Sequence, residues 1–300
     1  MKHSDPKNSE TPLAQELADN THRLQRASAS EIRKPKNTRV FTVSNQKGGV
    51  GKTTTAVNLA AALAIKGLSV LVIDLDPQGN ASTALGVDHH SGVPGAYEVL
   101  INKLPMAQAI QSCSTIKNLY CLPASIDLAG AETELFTNFS DEERRFRLRT
   151  TLWDFLESLP DERRPDYVFI DCPPSLGLLT INAFVAAREV LIPIQCEYYA
   201  LEGLTQLLKT VDMIKQQLNP KLVVSTILLT MFDSRTRLAT QVADEVRKHF
   251  AKEVLSSIIP RSVRVSEAPS YEQTIMTYDK SSSGAIAYLE AAIELANKGA

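Results

Sequence analysis

One stretch of this sequence combines glycines, lysines and hydroxyl side chains in an order suited to binding phosphate. It consists of Lys47, Gly48, Gly49, Val50, Gly51, Lys52, Thr53 and Thr54. The glycines allow several backbone N–H groups to converge on an anion, because they carry no Cβ atoms that would clash with it. The Lys52 ammonium can reach the β- and γ-phosphates of a nucleotide, and the Thr53 hydroxyl can bind Mg²⁺. A glycine-rich turn without chemical function is the alternative interpretation.

The segments on either side of this stretch predict the elements that a phosphate-binding loop requires. The apolar run Val40–Val43 predicts a strand before the loop, and residues 53–66 have the periodicity of a helix after it. The N-terminus of that helix would add its partial positive charge to the anion site. The stretch departs from the general pattern G-x-x-x-x-G-K-[ST] at one place, where Gln46 replaces a glycine, and Lys47 adds a second lysine.

Three aspartates follow other predicted strands. Asp171 closes an apolar strand, where a carboxylate is poorly solvated unless a partner such as Mg²⁺ is present. Asp74 and Asp76 would share one face of an extended segment, with Leu75 on the opposite face. Such neighbouring carboxylates repel each other unless a cation or water lies between them. Aspartates that only cap a strand-end turn, or lie in a surface turn, are the alternatives.

Strand and helix patterns alternate from Val40 onward. The predicted strands are Val40–Val43, Val70–Ile73, Leu119–Leu122, Val168–Ile170, Val190–Ile194 and Val223–Leu229. The predicted helices are Thr53–Lys66, Asp141–Ser158, Thr180–Ala187, Leu201–Leu218, Thr236–His249 and Ser283–Asn297. This alternation predicts a doubly wound α/β domain, with a mostly parallel sheet flanked by helices. Ligands bind at the carboxyl ends of the strands in such sheets, so the three motifs should form one site.

The composition limits the remaining possibilities. The chain has 300 residues, 44% of them hydrophobic, and a net charge of −2, which fits a folded domain with a substantial core. A nearly neutral chain can bind nucleic acid only through a local basic patch. The four cysteines are scattered, which predicts reduced thiols rather than a metal or Fe–S site. No apolar run approaches the ~20 residues of a membrane span, and the polar stretch after Met1 predicts no signal peptide.

Residues 1–38 differ in composition from the rest of the chain. They are polar and contain Pro6, Pro12 and Pro35, which predicts a flexible N-terminal arm. Leu13, Leu17 and Leu24 could mark a short transient helix within it. The expected nucleotide-binding domain therefore comprises residues 39–300.

Several motifs give this chain a family resemblance. Residues 47–53 match KGGxGKT, the deviant Walker A motif of the ParA/MinD group of P-loop ATPases. Residues 73–80 resemble the second motif of that group, and residues 169–175 resemble its Walker B strand. Residues 194–203 and 259–270 resemble the ParA/Soj chromosome-partitioning branch in particular. The resemblance runs from about Arg39 to the C-terminus and does not cover the first 38 residues.

The resemblance implies roles for individual residues. Catalysis of ATP hydrolysis would involve Lys47, Lys52 and Asp76, with Asp76 orienting the attacking water and Lys47 reaching the partner's nucleotide in a dimer. A solvated loop lysine is the alternative for Lys47. The residues implied to hold Mg²⁺ are Thr53, Asp74 and Asp171. The residues implied to bind the nucleotide, besides residues 47–54 of the glycine loop, are Met231, Pro260 and Arg261, which would line the adenine pocket.

The resemblance also implies partners. We expect an ATP-dependent homodimer that binds double-stranded DNA nonspecifically through Arg235 and Arg264, a ParB-like protein that stimulates hydrolysis, and a cytoplasmic, nucleoid-associated location. Without the resemblance, these arginines would be ordinary solvated residues at loop ends. A MinD-like membrane-associated ATPase is the main alternative, but residues 285–298 lack the basic amphipathic character that membrane binding needs. An Fe–S reductase and a helix-turn-helix repressor gain little support from the sequence.

Overall fold

The computed structural model describes residues 12–298 as alternating helices and strands. The strands are β1 Arg39–Val43, β2 Val70–Asp74, β3 Gln111–Ser112, β4 Leu119–Leu122, β5 Tyr167–Asp171, β6 Glu189–Gln195, β7 Val223–Phe232 and β8 Val254–Pro260. The helices are α1 Pro12–Ala29, α2 Lys52–Ile65, α3 Asn80–Ala84, α4 Ala96–Leu100, α5 Ala131–Asn138, α6 Asp141–Ser158, α7 Leu178–Ala186, α8 Ala200–Gln217, α9 Arg237–His249, α10 Val263–Glu267, α11 Ile275–Tyr278 and α12 Ser283–Lys298.

All eight strands form one sheet in the order β3-β4-β2-β5-β1-β6-β7-β8. Every neighbouring pair is parallel except β3 with β4. The predicted doubly wound, mostly parallel fold is therefore confirmed. The six predicted strands all form, whereas β3 and β8 were missed. β3 has only two residues, and Ser256 and Ser257 interrupt the apolar run of β8, so neither has the pattern of a buried strand.

The sheet has a hydrophobic core on each face. Val40 packs into the core formed with helices α6, α7, α8 and α9, whereas its neighbour Phe41 packs into the core formed with α2 and α12. Successive side chains of a strand point to opposite faces, so a strand buried on both sides must be apolar throughout. This is why the central strands appear in the sequence as continuous apolar runs.

Within the N-terminal segment, residues 12–29 differ from the expected flexible arm. Residues 12–29 form α1, and its Arg23 Nη2 lies 2.7 Å from Glu290 Oε2 of α12. Lys66 Nζ donates to the carbonyls of Ala27 and Ser28 at the end of α1. Leu24 and Ala27 pack against the core of α2 and α12. These contacts come from distant parts of the chain, so local composition did not reveal them. Residues 1–11 lie outside the described part, and the domain boundary at residue 38 stays a prediction.

Across residues 12–298, no helix combines the length and apolar composition that a membrane crossing requires.

The end of α2 depends on a glycine with a left-handed backbone conformation. Gly67 has φ +93°, and its N–H donates to Ala64 O while the N–H of Leu68 donates to Leu63 O. These two hydrogen bonds form a Schellman motif, which satisfies carbonyl groups that the helix leaves unpaired. α2 can end at this position because glycine adopts the left-handed conformation without a steric cost.

Substitution of Gly67 by alanine should destabilise the protein through the backbone alone. No atom lies within 4 Å of the position that a Cβ would occupy, so any cost comes from the positive φ. We expect Gly67→Ala to lower the free energy of unfolding by about 1–2 kcal/mol in urea denaturation. A Cβ at Gly203 would also meet no atom within 4 Å, but Gly203 lies inside helix α8. Gly203→Ala should therefore raise the free energy of unfolding by about 0.5–1 kcal/mol. Equal effects of the two substitutions would contradict this explanation.

Candidate functional site

The predicted motifs meet because three neighbouring strands end in register. Asp74 at the end of β2 pairs with Asp171 at the end of β5, and Asp171 pairs with Val43 at the end of β1. The glycine loop begins directly after β1 and leads into α2. This register produces the expected convergence of the glycine loop and the aspartates at one edge of the sheet.

The glycine loop has the geometry of an anion cradle. Gly49 and Gly51 have φ +74° and +84°, and a Cβ at Gly48 or Gly49 would meet no atom within 4 Å. Gly51 precedes the first residue of α2, and no side chain caps that helix N-terminus. The N–H groups of the first helical turn therefore remain available to an anion. Thr230 Oγ1 donates to the carbonyl of buried Val50, which ties the loop to β7.

Lys52 is held inside this cradle. Its side chain is buried, and its Nζ lies 3.5 Å from the carbonyl oxygen of Lys47. Burial lowers the pKa of Lys52, whereas the charges of Asp171 and Asp76 act in the opposite direction. The ammonium thus lies beside the cradle without a carboxylate bonded to it, an arrangement that favours the approach of a phosphate. Thr53 and Thr54 follow in the first turn of α2.

Asp171 is fully buried, and neither of its carboxylate oxygens has a hydrogen-bond partner among residues 12–298. Burial raises the pKa of Asp171 well above its ordinary value, and the Asp74 charge raises it further. The Thr53 hydroxyl and Lys52 act against this shift, although Thr53 does not reach hydrogen-bonding geometry. A buried carboxylate with two free oxygens needs a cation or bound water. The position of Asp171 therefore fits a hydrated Mg²⁺ beside the Thr53 hydroxyl.

No group of three or more histidine, cysteine, aspartate or glutamate side chains within residues 12–298 could hold a metal ion alone. This agrees with the expected ion, because Mg²⁺ at nucleotide sites is bound through one or two carboxylates, water and substrate phosphates. A metal at Asp171 would thus depend on the nucleotide for the rest of its ligands.

Asp74 has a different environment. Its oxygens accept hydrogen bonds from the backbone N–H of Asp76 and from both the N–H and the hydroxyl of Ser82. Burial raises the pKa of Asp74 to about 6, although the bonds from Ser82 oppose the shift. These bonds make Asp74 the anchor of the loop that carries Asp76, and a direct metal role for Asp74 stays a prediction. Ser82 was missed because nothing in its local sequence distinguishes it from an ordinary helical serine.

Asp76 lies at the mouth of the same site. Its Oδ1 accepts a hydrogen bond from the N–H of Gln78 at 3.0 Å, and its side chain is nearly buried. The loop then turns at Gly79, whose φ is +63°. A Cβ at Gly79 would lie 2.7 Å from His89 Nδ1 and 2.9 Å from the carbonyl of Ala124, so the loop is closely packed. Asp76 is therefore fixed next to Asp171 and Lys52 rather than on a mobile surface turn.

Lys47 points away from its own loop. Its Nζ lies 2.6 Å from Oε2 of Glu197, which follows β6. The N–H of Lys47 donates to Asn45 Oδ1, and Asn45 Nδ2 donates to the carbonyl of Pro193 in β6. Sequence reasoning did not give Glu197 a role, because the contact joins residues 150 positions apart.

Of the predicted adenine-pocket residues, Met231 lies beside the glycine loop. Met231 near the end of β7 has φ +49°, and its Cε would be 3.6 Å from a Cβ on Gly51. Pro260 at the end of β8 pairs with Phe232, and the N–H of Arg261 donates to the carbonyl of Phe232. The structure thus brings Met231 to the loop and Pro260 and Arg261 to the neighbouring strand ends. Their contact with a base stays a prediction.

The two predicted DNA-binding arginines are exposed and paired with acids. Arg235, whose side chain is 85% exposed, donates Nε and Nη2 to the two oxygens of Asp233 and lowers the pKa of Asp233 to about 2. Arg264 lies 3.5 Å from Glu267 and 3.8 Å from Asp279. Both arginines follow strands that end at the loop side of the sheet. The structure gives them access to a large ligand, whereas DNA contact remains a prediction.

Comparison with known proteins identifies clear relatives. A family model described as an AAA domain matches residues 38–224. The chain is 51% identical to the chromosome partitioning protein ParA of Myxococcus xanthus over 86% of this chain and 87% of that protein. It is 48% identical to the sporulation initiation inhibitor protein Soj of Bacillus subtilis over 87% of this chain and 99% of that protein.

Solved structures have the same fold. Cobyrinic acid a,c-diamide synthase from Mycobacterium smegmatis, with bound ADP and magnesium, has a TM-score of 0.70 and 38% identity, covering 85% of this chain and 93% of that chain. The cell division ATPase MinD of Pyrococcus furiosus has a TM-score of 0.68 and 26% identity, covering 86% and 98%.

The raised pKa of Asp171 predicts how stability depends on pH. A carboxyl whose pKa is higher in the folded protein loses its proton later than in the unfolded chain, so the free energy of unfolding falls as pH rises above the ordinary aspartate range. Asp171→Asn cannot ionise, and at pH 7.5 it should be more stable than the original protein by about 1–3 kcal/mol. The difference in the free energy of unfolding between Asp171→Asn and the original protein should shrink toward pH 4.

Urea denaturation between pH 4 and 7.5, without nucleotide and with a chelator, would measure this effect. Asp212→Asn, at an exposed position of α8, is the matched control and should leave the pH dependence unchanged. Asp74 also contributes, so the slope should decrease in Asp171→Asn without disappearing. An unchanged slope in Asp171→Asn would contradict the prediction.

Proposed function

The chain belongs to the ParA/Soj family of chromosome-partitioning ATPases, and from this we propose that it works as an ATP-driven switch in DNA segregation. ATP would bind at the glycine loop, two ATP-bound copies would associate, and the dimer would bind double-stranded DNA nonspecifically. Hydrolysis to ADP and phosphate, stimulated by a ParB-like partner, would return the protein to the monomer. A cytoplasmic, nucleoid-associated location would follow from this activity.

The observation that carries the proposal is the buried Asp171 carboxylate next to the glycine loop. Its free oxygens and the Thr53 hydroxyl would hold Mg²⁺, with Asp74 supporting the loop beside it. Bound Mg²⁺ would neutralise negative charge on the β- and γ-phosphates. A carboxylate buried without partners is costly, so its presence is explained best by a ligand that the site regularly receives.

The remaining residues of the site fit phosphoryl transfer to water. The free N–H groups of the loop and of the first turn of α2 would cradle the phosphates. Lys52 would contact the transferred phosphoryl group and stabilise charge that develops on it. Asp76 lies close enough to influence Lys52 electrostatically, and it would orient the attacking water. Met231, Pro260 and Arg261 would line the adenine pocket.

The surface around the site supports association of two copies. Several large apolar side chains are exposed on segments that follow the strands, namely Leu176, Tyr198, Tyr199 and Val263. Exposed apolar residues that adjoin a functional site favour an interaction surface. Lys47 lies on this surface as well, and from there it could reach the nucleotide of a second copy, which would make ATP part of the dimer contact.

A MinD-like membrane-associated ATPase is the alternative, and the position of α12 disfavours it. Membrane binding by this helix would require a free apolar face. The apolar residues of α12, including Tyr288, Leu289 and Leu295, are buried in the core that this helix shares with α2 and one face of the sheet. Glu290 and Glu294 of the same helix form polar contacts with Arg23 and with Ser257.

Lys52→Ala and Asp76→Ala should separate nucleotide binding from hydrolysis. Lys52→Ala removes a charged phosphate contact and should weaken ATP affinity about 10- to 150-fold. Asp76→Ala should retain ATP affinity within a few-fold while its turnover falls about 10²- to 10⁴-fold. Titration with a fluorescent ATP analogue and a phosphate-release assay would measure the two quantities.

Lys209→Ala, which removes an exposed lysine from α8, serves as the control for lost positive charge and should resemble the original protein. Retention of full ATP affinity by Lys52→Ala would rule out the loop as the phosphate site. If Asp76→Ala instead lost ATP affinity, Asp76 would build the site rather than act on water.

Arg235→Ala and Arg264→Ala should weaken DNA binding but leave ATP-dependent dimerisation intact. Each phosphate contact contributes a slope of about 0.9 to log K against log[salt], so one substitution per subunit should remove about two units from a dimer. Binding by the dimer should be nearly independent of DNA sequence, because phosphate contacts carry no sequence information.

Fluorescence anisotropy with DNA of unrelated sequences, at several salt concentrations and with ATP, would test this. Arg163→Ala, which removes an exposed arginine just before β5 at the opposite end of the sheet, is the control and should keep the original slope. An unchanged slope in the Arg235/Arg264 double variant would mean that DNA contacts another surface, with Arg33, Lys34 and Lys36 as the first candidates.

A further inference from the structure

The ion pair between Lys47 and Glu197 gives the outward-facing lysine a partner within its own chain. Lys47 Nζ lies 2.6 Å from Glu197 Oε2 within the same chain, and the two side chains are 39% and 47% exposed. In this position the ammonium is neutralised by an internal carboxylate rather than free in solution. An external anion that binds Lys47 therefore competes with Glu197 for the ammonium.

Both partners are fixed by neighbouring hydrogen bonds. Gln195 Nε2 donates to the other oxygen of Glu197, and the N–H of Glu197 donates to the carbonyl of Gln195. On the lysine side, Asn45 connects the N–H of Lys47 to the carbonyl of Pro193. The ion pair thus closes a ring between the glycine loop and the end of β6. The hydrogen bonds with Gln195 hold the Glu197 side chain in the position from which it contacts Lys47.

A second ion pair, between β1 and β6, is much less exposed to solvent than the Lys47–Glu197 pair. Arg39 donates two hydrogen bonds to Glu189, and these side chains are only 12% and 15% exposed. That pair joins the other ends of the two strands and is mostly removed from solvent. The Lys47–Glu197 pair is exposed and involves one lysine, so water and salt weaken it and a stronger anion can compete with it.

The competing anion would be the triphosphate of a second copy. A γ-phosphate carries more negative charge than a carboxylate and offers several acceptor oxygens, whereas ADP lacks that group. Exchange of Glu197 for a γ-phosphate would therefore be favourable with ATP and less so with ADP. The adjacent Tyr198 and Tyr199 are exposed on the same turn, so release of Glu197 would occur at the proposed contact surface itself.

We propose that Glu197 is a positioning residue that holds Lys47 within its own chain and competes with the partner's ATP for it. This inference rests on the proposed ATP-dependent dimer and specifies how that dimer is regulated. Glu197 sets a threshold: two ion pairs must open each time a dimer forms, and only a nucleotide with a γ-phosphate compensates for their loss.

Substitution of Glu197 should therefore tighten the dimer. Exposed ion pairs contribute little individually, and loss of two of them should strengthen ATP-dependent dimerisation by about two- to thirtyfold in Glu197→Gln. The dimer dissociation constant can be measured by sedimentation across a dilution series, with a nonhydrolysable ATP analogue and with ADP. Glu197→Gln should also allow more dimer with ADP than the original protein does.

Two controls distinguish competition from a general effect of charge. Glu202→Gln removes an exposed glutamate five residues away in α8 and should leave the dissociation constant unchanged. In the Lys47→Ala background, measured at high protein concentration, Glu197→Gln should cause no further tightening, because the lysine through which it acts is absent. Thermal unfolding would verify that each variant is folded.

The outcomes are separable. No tightening in Glu197→Gln, or the same tightening with and without Lys47, would overturn the role of Glu197. A tightening in Glu202→Gln equal to that in Glu197→Gln would overturn it as well. If the original protein did not dimerise with the ATP analogue at all, the proposed function itself would fail, and the double-mutant comparison would not arise.

Discussion

The site depends on a carboxylate that is buried where three strands end and has no hydrogen-bond partner in the described part of the chain. Asp171 ends the central strand β5, between β1 and β2, so the helices on both faces of the sheet remove it from solvent. Its neighbours are a second aspartate and a lysine that burial itself makes harder to charge. The fold therefore maintains an unfavourable electrostatic arrangement, which nucleotide and metal would relieve. Part of the binding energy of nucleotide and metal at this site would come from that relief.

The cations proposed to act outside their own chain have a common feature. Lys47, Arg235 and Arg264 each lie beside a carboxylate of the same chain, at Glu197, Asp233 and Glu267. Exposed ion pairs of this kind add little stability, so the fold does not require them. Each pair lowers the free positive charge on the surface, and in the proposed function a more highly charged ligand would displace the acid. In the proposed function, a chain of net charge −2 would in this way bind a polyanion in one state and avoid it in another.

The elements farthest from the site keep its geometry fixed. α2 begins at the glycine loop and ends in the Schellman turn at Gly67, and α12 packs along it on the same face of the sheet. α1 covers α12 through Arg23 and Glu290 and accepts hydrogen bonds from Lys66 next to Gly67. The helix that carries Lys52 is thus held at its far end by residues from both ends of the described chain. A rigid scaffold under a phosphate-binding loop favours catalysis, because little reorganisation is then needed when the ligand binds.

The sequence by itself determined the fold class, six of the eight strands, the glycine loop and the aspartates at the strand ends. Those features follow from local rules: apolar runs for strands buried on both faces, glycines where φ is positive, and polar residues at the carboxyl ends of parallel strands. Only the tertiary structure decided that Asp74 anchors a loop through Ser82, that Lys47 pairs with Glu197, and that residues 12–29 form a helix on α12. Each of these features depends on a contact between residues that do not belong to the same helix or strand pattern. In two of them the contacting residues are more than a hundred positions apart. Local periodicity contains no information about such pairs, whereas packing the sheet and its two helical layers fixes them.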